Sequence, residues 1–457
     1  MDALPFEQLE GVSGYAELAD RLKRAIGSGD LKPGTRLPSQ RILSYRLGLA
    51  VGTITRAYTL LEREGYVDSY VGRGTFVATR GGGFGRGFVS SDPSLDINLS
   101  LDLPLEHLNP PLGRVLADIA AGAGNTDYLA YDSPGLDRRH AEAGLGWANR
   151  FDIQADIGQV LPVTGAQHGV FTALATACRP GDTVICEALT YPGFLGVAKL
   201  LGLRLEPAAL DAQGLIPQAA EEICRRHVVK ALYITPTVQN PTNGQLGLKR
   251  REALAEMARR YDFIIIEDEL KPRFLAPAPT PVAMLAPERG FFIAGLSKII
   301  GGGCRASFLV VPERFEAAAE TNRWASVWRT SAIAFEVATR LLETGVAEQV
   351  ARDKEAEAAR RRELAERHLG QYDLRLARGS TYAWLTLPAG WRNATALAAL
   401  KDEGIAVSAA DSFWAGHTPP PDAIRLCLGT VASREMLADA LSRVARELGE
   451  VPQVARL

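Results

Sequence analysis

The feature that most restricts the fold is a series of short runs that are apolar at almost every position. These are GQVLPVT (158–164), DTVICE (182–187), KALYITP (230–236), FIIIEDE (263–269), FFIAGL (291–296) and SFLVVP (307–312). A strand with one wet face alternates apolar and polar residues, whereas a run apolar throughout is buried on both faces. Helix-period stretches separate the runs, so the sequence predicts a mostly parallel sheet covered by helices, an α/β fold. From about residue 336 the pattern changes to long Ala/Glu/Arg helices followed by short strands such as STYAWLTL and AIRLCL, which predicts an α+β unit. A chain of 457 residues, 47% hydrophobic and 23% charged, has room for two or three compact units and is not the composition of a disordered protein.

Charge divides the chain again. The whole carries 51 basic and 53 acidic residues, a formal net charge of -2, yet residues 21 to 80 hold eleven basic and four acidic side chains, a net +7. Directly after them comes GGGFGRGFVSSDPS (81–94), the composition of a flexible connector. The predicted division is therefore 1–80, a connector 81–103, and a body 104–457. Within the body a large part of about 126–335 is expected beside a small part made of about 104–125 and 336–457. The five cysteines, Cys178, Cys186, Cys224, Cys304 and Cys427, show no C-x-x-C pair and read as reduced core thiols rather than a disulfide frame or zinc site. No secretory pattern and no membrane-length apolar run is present, so a cytoplasmic protein without membrane or metal partners is expected.

In the basic segment, Leu18, Leu22 and Ile26 give a first amphipathic helix. Ser39 is placed to cap a second helix in SQRILSYRLG, and the turn at Gly48 leads to a third, VGTITRAYTLLEREG. YVDSYV and TFVAT, joined by Gly72-Arg73-Gly74, form a hairpin. A helix-turn-helix followed by a basic hairpin is a winged helix, suited to double-stranded DNA. GDLKPGTRLPSQR, LLEREGYV and VGRGTFV resemble the winged-helix domain of the GntR family of bacterial transcription regulators over residues 14 to 79. The resemblance implies Arg36, Ser39, Arg41, Thr53, Thr55, Arg56, Arg73 and Thr75 as DNA contacts. Where that family begins its recognition helix with Ser-Arg, this chain has Ala50-Val51, so a groove contact is either lost or replaced by an apolar contact to a thymine methyl.

In the body, TGAQHG lies between a strand and a helix, so the amides around Gly165, Ala166 and Gln167 aim at an anion. Asp268 ends an apolar strand at the carboxyl edge, where α/β sheets bind ligands, and Lys298 follows another strand. Such parts suit a phosphorylated aromatic aldehyde. They resemble the fold-type I aminotransferases that use pyridoxal 5'-phosphate (PLP), over residues from about 104 to 450. By that resemblance Ser297-Lys298 and Arg305 carry the cofactor-bearing lysine and a phosphate-binding arginine, and Asn240 in Asn240-Pro241-Thr242 meets the ring hydroxyl. Tyr191 stacks on the ring, Arg425 clamps an α-carboxylate, and Tyr131 reaches the phosphate of a neighbouring subunit, which implies a homodimer. Three positions depart from the family pattern. Leu270 and Lys271 stand where a tyrosine is expected after Asp268, Gly295 replaces a Ser or Thr, and Asn243 replaces a glycine. Losing the phenol and the hydroxyl spares binding more than turnover.

A winged helix joined to an aminotransferase-like domain is the architecture of the MocR subfamily, which the chain resembles along nearly its whole length. The resemblance implies a homodimeric regulator that binds an operator and senses PLP, with or without an amino acid or amine. Two other readings stay open: a working aminotransferase carrying a DNA module, and a dimerisation scaffold that has lost PLP.

Overall fold

The computed structural model describes residues 9, 12, 14–28, 30, 31, 35–63, 66–70, 74–77, 95–122, 126–131, 134–272, 274, 275, 277–416 and 418–450. The chain divides into two compact units, Met1–Asp92 with His417–Pro419, and Pro93–Gly416 with Pro420–Leu457.

In the first unit, helices Tyr15–Ser28, Gln40–Leu47 and Val51–Arg63 are followed by the antiparallel pair Val67–Tyr70 and Gly74–Val77. Leu18, Leu22 and Ile26 recur every fourth position, and all three are buried together with Leu43, Ile54, Tyr58, Leu61, Val67 and Val77. The Ser39 hydroxyl accepts the Ile42 amide at 3.4 Å, capping the second helix as expected. Gly48 ends that helix at φ 65°, the left-handed conformation that favours glycine. Backbone bonds from Leu37 to Thr75 (2.7 Å) and from Val77 to Thr35 (2.8 Å) tie the hairpin to the strand-like stretch before the second helix.

The second unit is built on a seven-stranded sheet. In spatial order its strands are Val160–Thr164, Ala306–Val310, Gly290–Gly295, Ile264–Glu269, Val229–Ile234, Thr183–Glu187 and Arg204–Ala208. All pairings are parallel except those of Ala306–Val310, which runs antiparallel to both neighbours. Each apolar run of the sequence lies in one of these strands, buried on both faces by separate clusters of helix and strand side chains. A smaller antiparallel sheet follows, ordered Leu374–Arg375, Tyr382–Thr386, Ala423–Cys427 and Ser408–Ala409. The helices Val346–Leu369, Asn393–Asp402 and Arg434–Gly449 cover it. Four cysteines are buried and Cys304 is half-buried, all as free thiols. No described helix is long and apolar enough to cross a membrane.

The boundaries inside this unit differ from those the composition indicates. Residues 97–103, expected as the end of the connector, are folded: Ile97–Asn98 pairs in parallel with Ile405–Ala406, and Ile97 and Leu99 enter the core of the smaller sheet. A Ser/Asp-rich start hid this short strand. Ile119, on the helix Leu112–Gly122, and Phe335, Val337 and Leu341, on Ala332–Glu343, pack instead into the core of the larger sheet. Long amphipathic helices reveal their apolar faces in sequence but not which sheet those faces cover.

Packing is close where Pro134–Ala148 crosses the antiparallel strand. A methyl group on Gly144 would overlap the Phe308 ring. Gly144→Ala is therefore expected to lower stability by about 1–3 kcal/mol despite alanine's higher helix propensity, measured as a lower melting temperature.

Candidate functional site

The carboxyl edge of the large sheet concentrates buried polar groups. Asp268 is the penultimate residue of the strand Ile264–Glu269 and is 6% exposed. One of its oxygens, Oδ2, accepts the Tyr233 hydroxyl at 2.8 Å, and Oδ1 is buried with no hydrogen-bond partner. Burial raises its pKa from 3.8 to about 6, with the Tyr233 bond working the other way. Tyr233 is fixed by stacking on Phe194, ring centroids 4.1 Å apart. It lies on the neighbouring strand opposite Ile266, two residues before Asp268 on the same face.

Around this carboxylate stand the other groups expected from the sequence. Gly165, at φ 80°, opens the helix Ala166–Ala177, whose first-turn amides point out of the helix end. A side chain at Gly165 would overlap the Arg305 guanidinium, so Arg305 lies directly against that helix start. Register explains the meeting, since Thr164 pairs with Ala306. Gln167 donates to the Gly193 carbonyl at 2.8 Å, leaving its Oε1 buried without a hydrogen-bond partner. Ser297 Oγ is likewise buried and without one. Tyr191 precedes the helix Pro192–Leu200, and its ring and Gln167 Oε1 occupy the space a side chain at Gly193 would need. Burial raises the Tyr191 pKa to about 12, further raised by the Asp268 charge.

Asn240 is held by the loop that follows Val229–Ile234. Gln239 anchors that loop, donating to Glu187 Oε2 at 3.1 Å and to the Leu189 carbonyl at 2.6 Å. Buried Arg251 bonds the Leu246 and Pro236 carbonyls beneath it. Asn243 adopts φ 63°, a left-handed conformation asparagine tolerates, and its amide donates to the Arg375 and Tyr382 carbonyls at 3.0 Å each. Asparagine here thus keeps the turn and gains a tie to the smaller sheet. Arg425 comes from that sheet. It donates to Asn240 Oδ1 and to the Ser100 carbonyl, both at 2.9 Å, over the faces of Phe413 and Tyr382.

Lys298 does not point at empty space. Its ammonium pairs with Asp102 Oδ2 at 2.8 Å and also donates to the Asp102 carbonyl. Asp102 was missed from the sequence because nothing local marks it. Tyr131 is 84% exposed with its ring edge-on to Trp328 at 6.2 Å, outside this cluster of buried groups.

The two departures beside Asp268 fit each other. A side chain at Gly295 would overlap Leu270 Cδ2, so Leu270 fills the room a Ser or Thr there would take. Lys271 is half-buried, and burial pushes its pKa down.

Of the DNA-contact candidates, Arg36, Ser39, Arg41, Thr55 and Arg56 are exposed and Thr53 is half-buried. Thr55 donates to Gln40 Oε1 at 2.8 Å, linking the second and third helices. Thr75 is only 8% exposed, so its side chain belongs to the hairpin's inner face rather than to a binding surface. Arg73 lies outside the described residues. Tyr45, 90% exposed on the second helix, was not singled out, because exposure of an aromatic is invisible in a short helix with a weak apolar stripe.

Residues 14–77 match the bacterial regulatory proteins of the gntR family, and residues 104–444 match aminotransferase class I and II. The second match takes in most of the chain, which therefore belongs to the aminotransferase class I and II family, a PLP-dependent family, with a GntR-type helix-turn-helix domain ahead of it. This order of domains is that of the MocR subfamily. The chain is 27% identical to the HTH-type transcriptional regulator YdeF of Bacillus subtilis (strain 168), over 96% of this chain and 95% of that one. It is 26% identical to the vitamin B6 salvage pathway transcriptional repressor PtsJ of Salmonella typhimurium, over 92% and 95%. Among solved structures, the Pyrococcus horikoshii kynurenine aminotransferase shares the fold at a TM-score of 0.70 and 22% identity, covering 77% of this chain and 90% of that one.

The pairing of Leu270 with Gly295 is testable. Gly295→Ser alone should lower the melting temperature, by about 1–3 kcal/mol of stability, and adding Leu270→Ala should recover much of the loss. A double-mutant cycle with strictly additive effects would show that the two positions do not share space.

Proposed function

We propose that the protein is a cytoplasmic, homodimeric, DNA-binding transcriptional regulator that binds PLP at Lys298 and senses PLP itself or an amino acid or amine. The observation that carries this reading is the unpartnered Asp268 Oδ1, a desolvated acceptor at the carboxyl edge of the sheet with no use in the fold. A protonated pyridine nitrogen is a donor that fits it. The unpartnered Ser297 Oγ, together with Arg305 lying against the helix start that carries the amides of Gly165, Ala166 and Gln167, supports a phosphate nearby.

When bound, PLP supplies an aldehyde that joins primary amines as a C=N bond and a ring that withdraws electrons. Lys298 provides the amine, Asp268 keeps the ring nitrogen protonated, Tyr191 covers the ring, and Asn240 meets the ring hydroxyl. Arg425 is directed at a ligand carboxylate, since its present partners are neutral oxygens. Exposed Tyr131, Leu129, Trp324 and Trp328 support a second copy of the chain on that face, with Tyr131 completing the partner's phosphate site. The exposed Arg36, Arg41 and Arg56, with Ser39 and Thr55, support contact with phosphates and base edges of an operator, and Thr53 flanks them.

The bond between Arg425 and Asn240 favours a second reading, an aminotransferase with turnover. Leu270 in place of a phenol weighs against it, and steady-state release of a keto acid with any of the common amino acids would establish it.

Lys298→Ala is expected to abolish the visible absorption band that PLP forms with the wild-type protein. Replacing Arg41 and Arg56 by alanine should weaken operator binding and lower its salt dependence by about two in the log-log slope. For Asp268 the sign follows from its raised pKa. Below pH 3.8 the carboxyl is neutral folded and unfolded, and between 3.8 and about 6 it ionises only in the unfolded chain, so stability falls by about 3 kcal/mol over that range. Asp268→Asn should therefore raise the melting temperature of the cofactor-free protein at pH 8 by a few degrees while weakening PLP binding at least tenfold, on the order of a lost charge-assisted bond. In the wild type, PLP affinity should fall as pH drops below about 6.

A further inference from the structure

The segment that contains Asp102 is built into the smaller sheet and yet bonds both of the groups a ligand would need. Leu99 accepts from the Cys427 amide at 2.8 Å and donates to the Ala406 carbonyl at 2.7 Å. Next in the chain, the Ser100 carbonyl accepts from Arg425 Nη2 and from Ser408 Oγ, each at 2.9 Å. Two residues on, the Asp102 carboxylate takes the Lys298 ammonium on Oδ2 at 2.8 Å and the Thr381 hydroxyl on Oδ1 at 2.6 Å. Lys298 also donates to the Asp102 carbonyl, so one residue holds two of the ammonium's three hydrogens. Burial would raise the Asp102 pKa, but the Lys298 and Arg425 charges and the Lys298 and Thr381 bonds bring it down to about 2. The carboxylate is charged throughout the physiological range.

We infer that Asp102 is a positioning residue for Lys298 and that Ser100 to Asp102 acts as an intrachain occupant of the ligand site, displaced first by PLP and then by a carboxylate ligand. This rests on Lys298 being the attachment point of PLP. When the Lys298 nitrogen joins the aldehyde carbon, two ammonium hydrogens leave with the aldehyde oxygen as one water. The nitrogen keeps one hydrogen and cannot maintain both bonds to Asp102. No electrons are transferred and no other reactant is required. An amino acid whose carboxylate takes both Arg425 Nη groups then displaces the Ser100 carbonyl. Each ligand thus removes one anchor from the same three residues. Those residues lie a few positions past the connector 81–94, through which the chain runs back to the winged helix.

The test uses full-length protein, with Asp102→Asn, Asp102→Glu and Lys298→Ala. PLP binding is followed by the visible band and amide exchange of residues 97–103 by mass spectrometry. Asp102→Asn is expected to bind PLP on the order of tenfold more tightly than wild type, with Asp102→Glu returning toward it. Without cofactor, Lys298→Ala should speed exchange in residues 97–103, and adding PLP to wild type should do the same. A purely structural Asp102 would lower the melting temperature without tightening PLP binding. Equal or weaker PLP binding by Asp102→Asn overturns the inference alone, as does unchanged exchange in Lys298→Ala. A wild-type protein that forms no band with PLP overturns the proposed function and this inference with it.

Discussion

Everything at the carboxyl edge of the large sheet depends on how four buried carboxyl groups are satisfied. Glu187 ends one strand; Glu267, Asp268 and Glu269 end another, with Val229–Ile234 between them. Burial raises the pKa of all four, Glu187 and Glu269 to about 7. Charges so placed demand donors. Glu187 draws in Thr235 and Gln239, Glu267 takes Arg251 and the Ala283 amide, and Glu269 takes the Leu270 and Lys271 amides. The Glu187 bonds, with those of Arg251 to the Pro236 and Leu246 carbonyls, hold the loop 235–246 over the sheet and thereby fix Asn240, which in turn meets Arg425. Asp268 is served by the hydroxyl of Tyr233, on the strand Val229–Ile234.

Beside an apolar cluster that sets Leu189 against Trp384, Phe413 and Ala423, the smaller sheet is joined to this edge through directional contacts. Asn243 reaches it from the loop, Arg425 reaches back, and Asp102 and Ser100 sit between the two parts. Hydrogen bonds of this kind can be exchanged for bonds to a ligand at little net cost, whereas interlocked apolar cores cannot. The arrangement is suited to a protein that must report what occupies the site.

Much of this was legible in the sequence, for physical reasons. Doubly buried strands must be apolar throughout, so the sheet was visible; Ser39 capped its helix because a hydroxyl before an amphipathic run has few other uses. Asp268, Lys298, Arg305 and Asn240 were found because each sits at a strand end or in a motif. Tyr233 was within reach, since a tyrosine near the end of a strand next to the Asp268 strand can share its face. Asp102 was not, because its bond to Lys298 spans 196 positions and depends on where a two-residue strand docks. The fit of Leu270 into the space above Gly295 was also hidden: each substitution looks like a loss, and only their contact shows one compensating the other. Thr75 was carried over by resemblance to a family motif, which does not fix which face of a four-residue strand is wet; here it lies on the buried face with Val77.

The single antiparallel strand of the large sheet has a consequence of its own. In a parallel pair, the end of one strand adjoins the end of the next, and the beginning of one adjoins the beginning of the other. Reversing Ala306–Val310 sets its beginning beside the end of Val160–Thr164, so that Gly165 and Arg305, 140 positions apart, become neighbours by strand pairing alone. Hydrogen-bond register then works as a ruler for an anion. A slip of two residues would keep every apolar side chain on its own face and still carry Arg305 about 7 Å from the helix start. Hydrophobic burial cannot distinguish those two pairings, so the distance between the two halves of the anion cradle is set by the fit of individual side chains, such as Phe308 against Gly144.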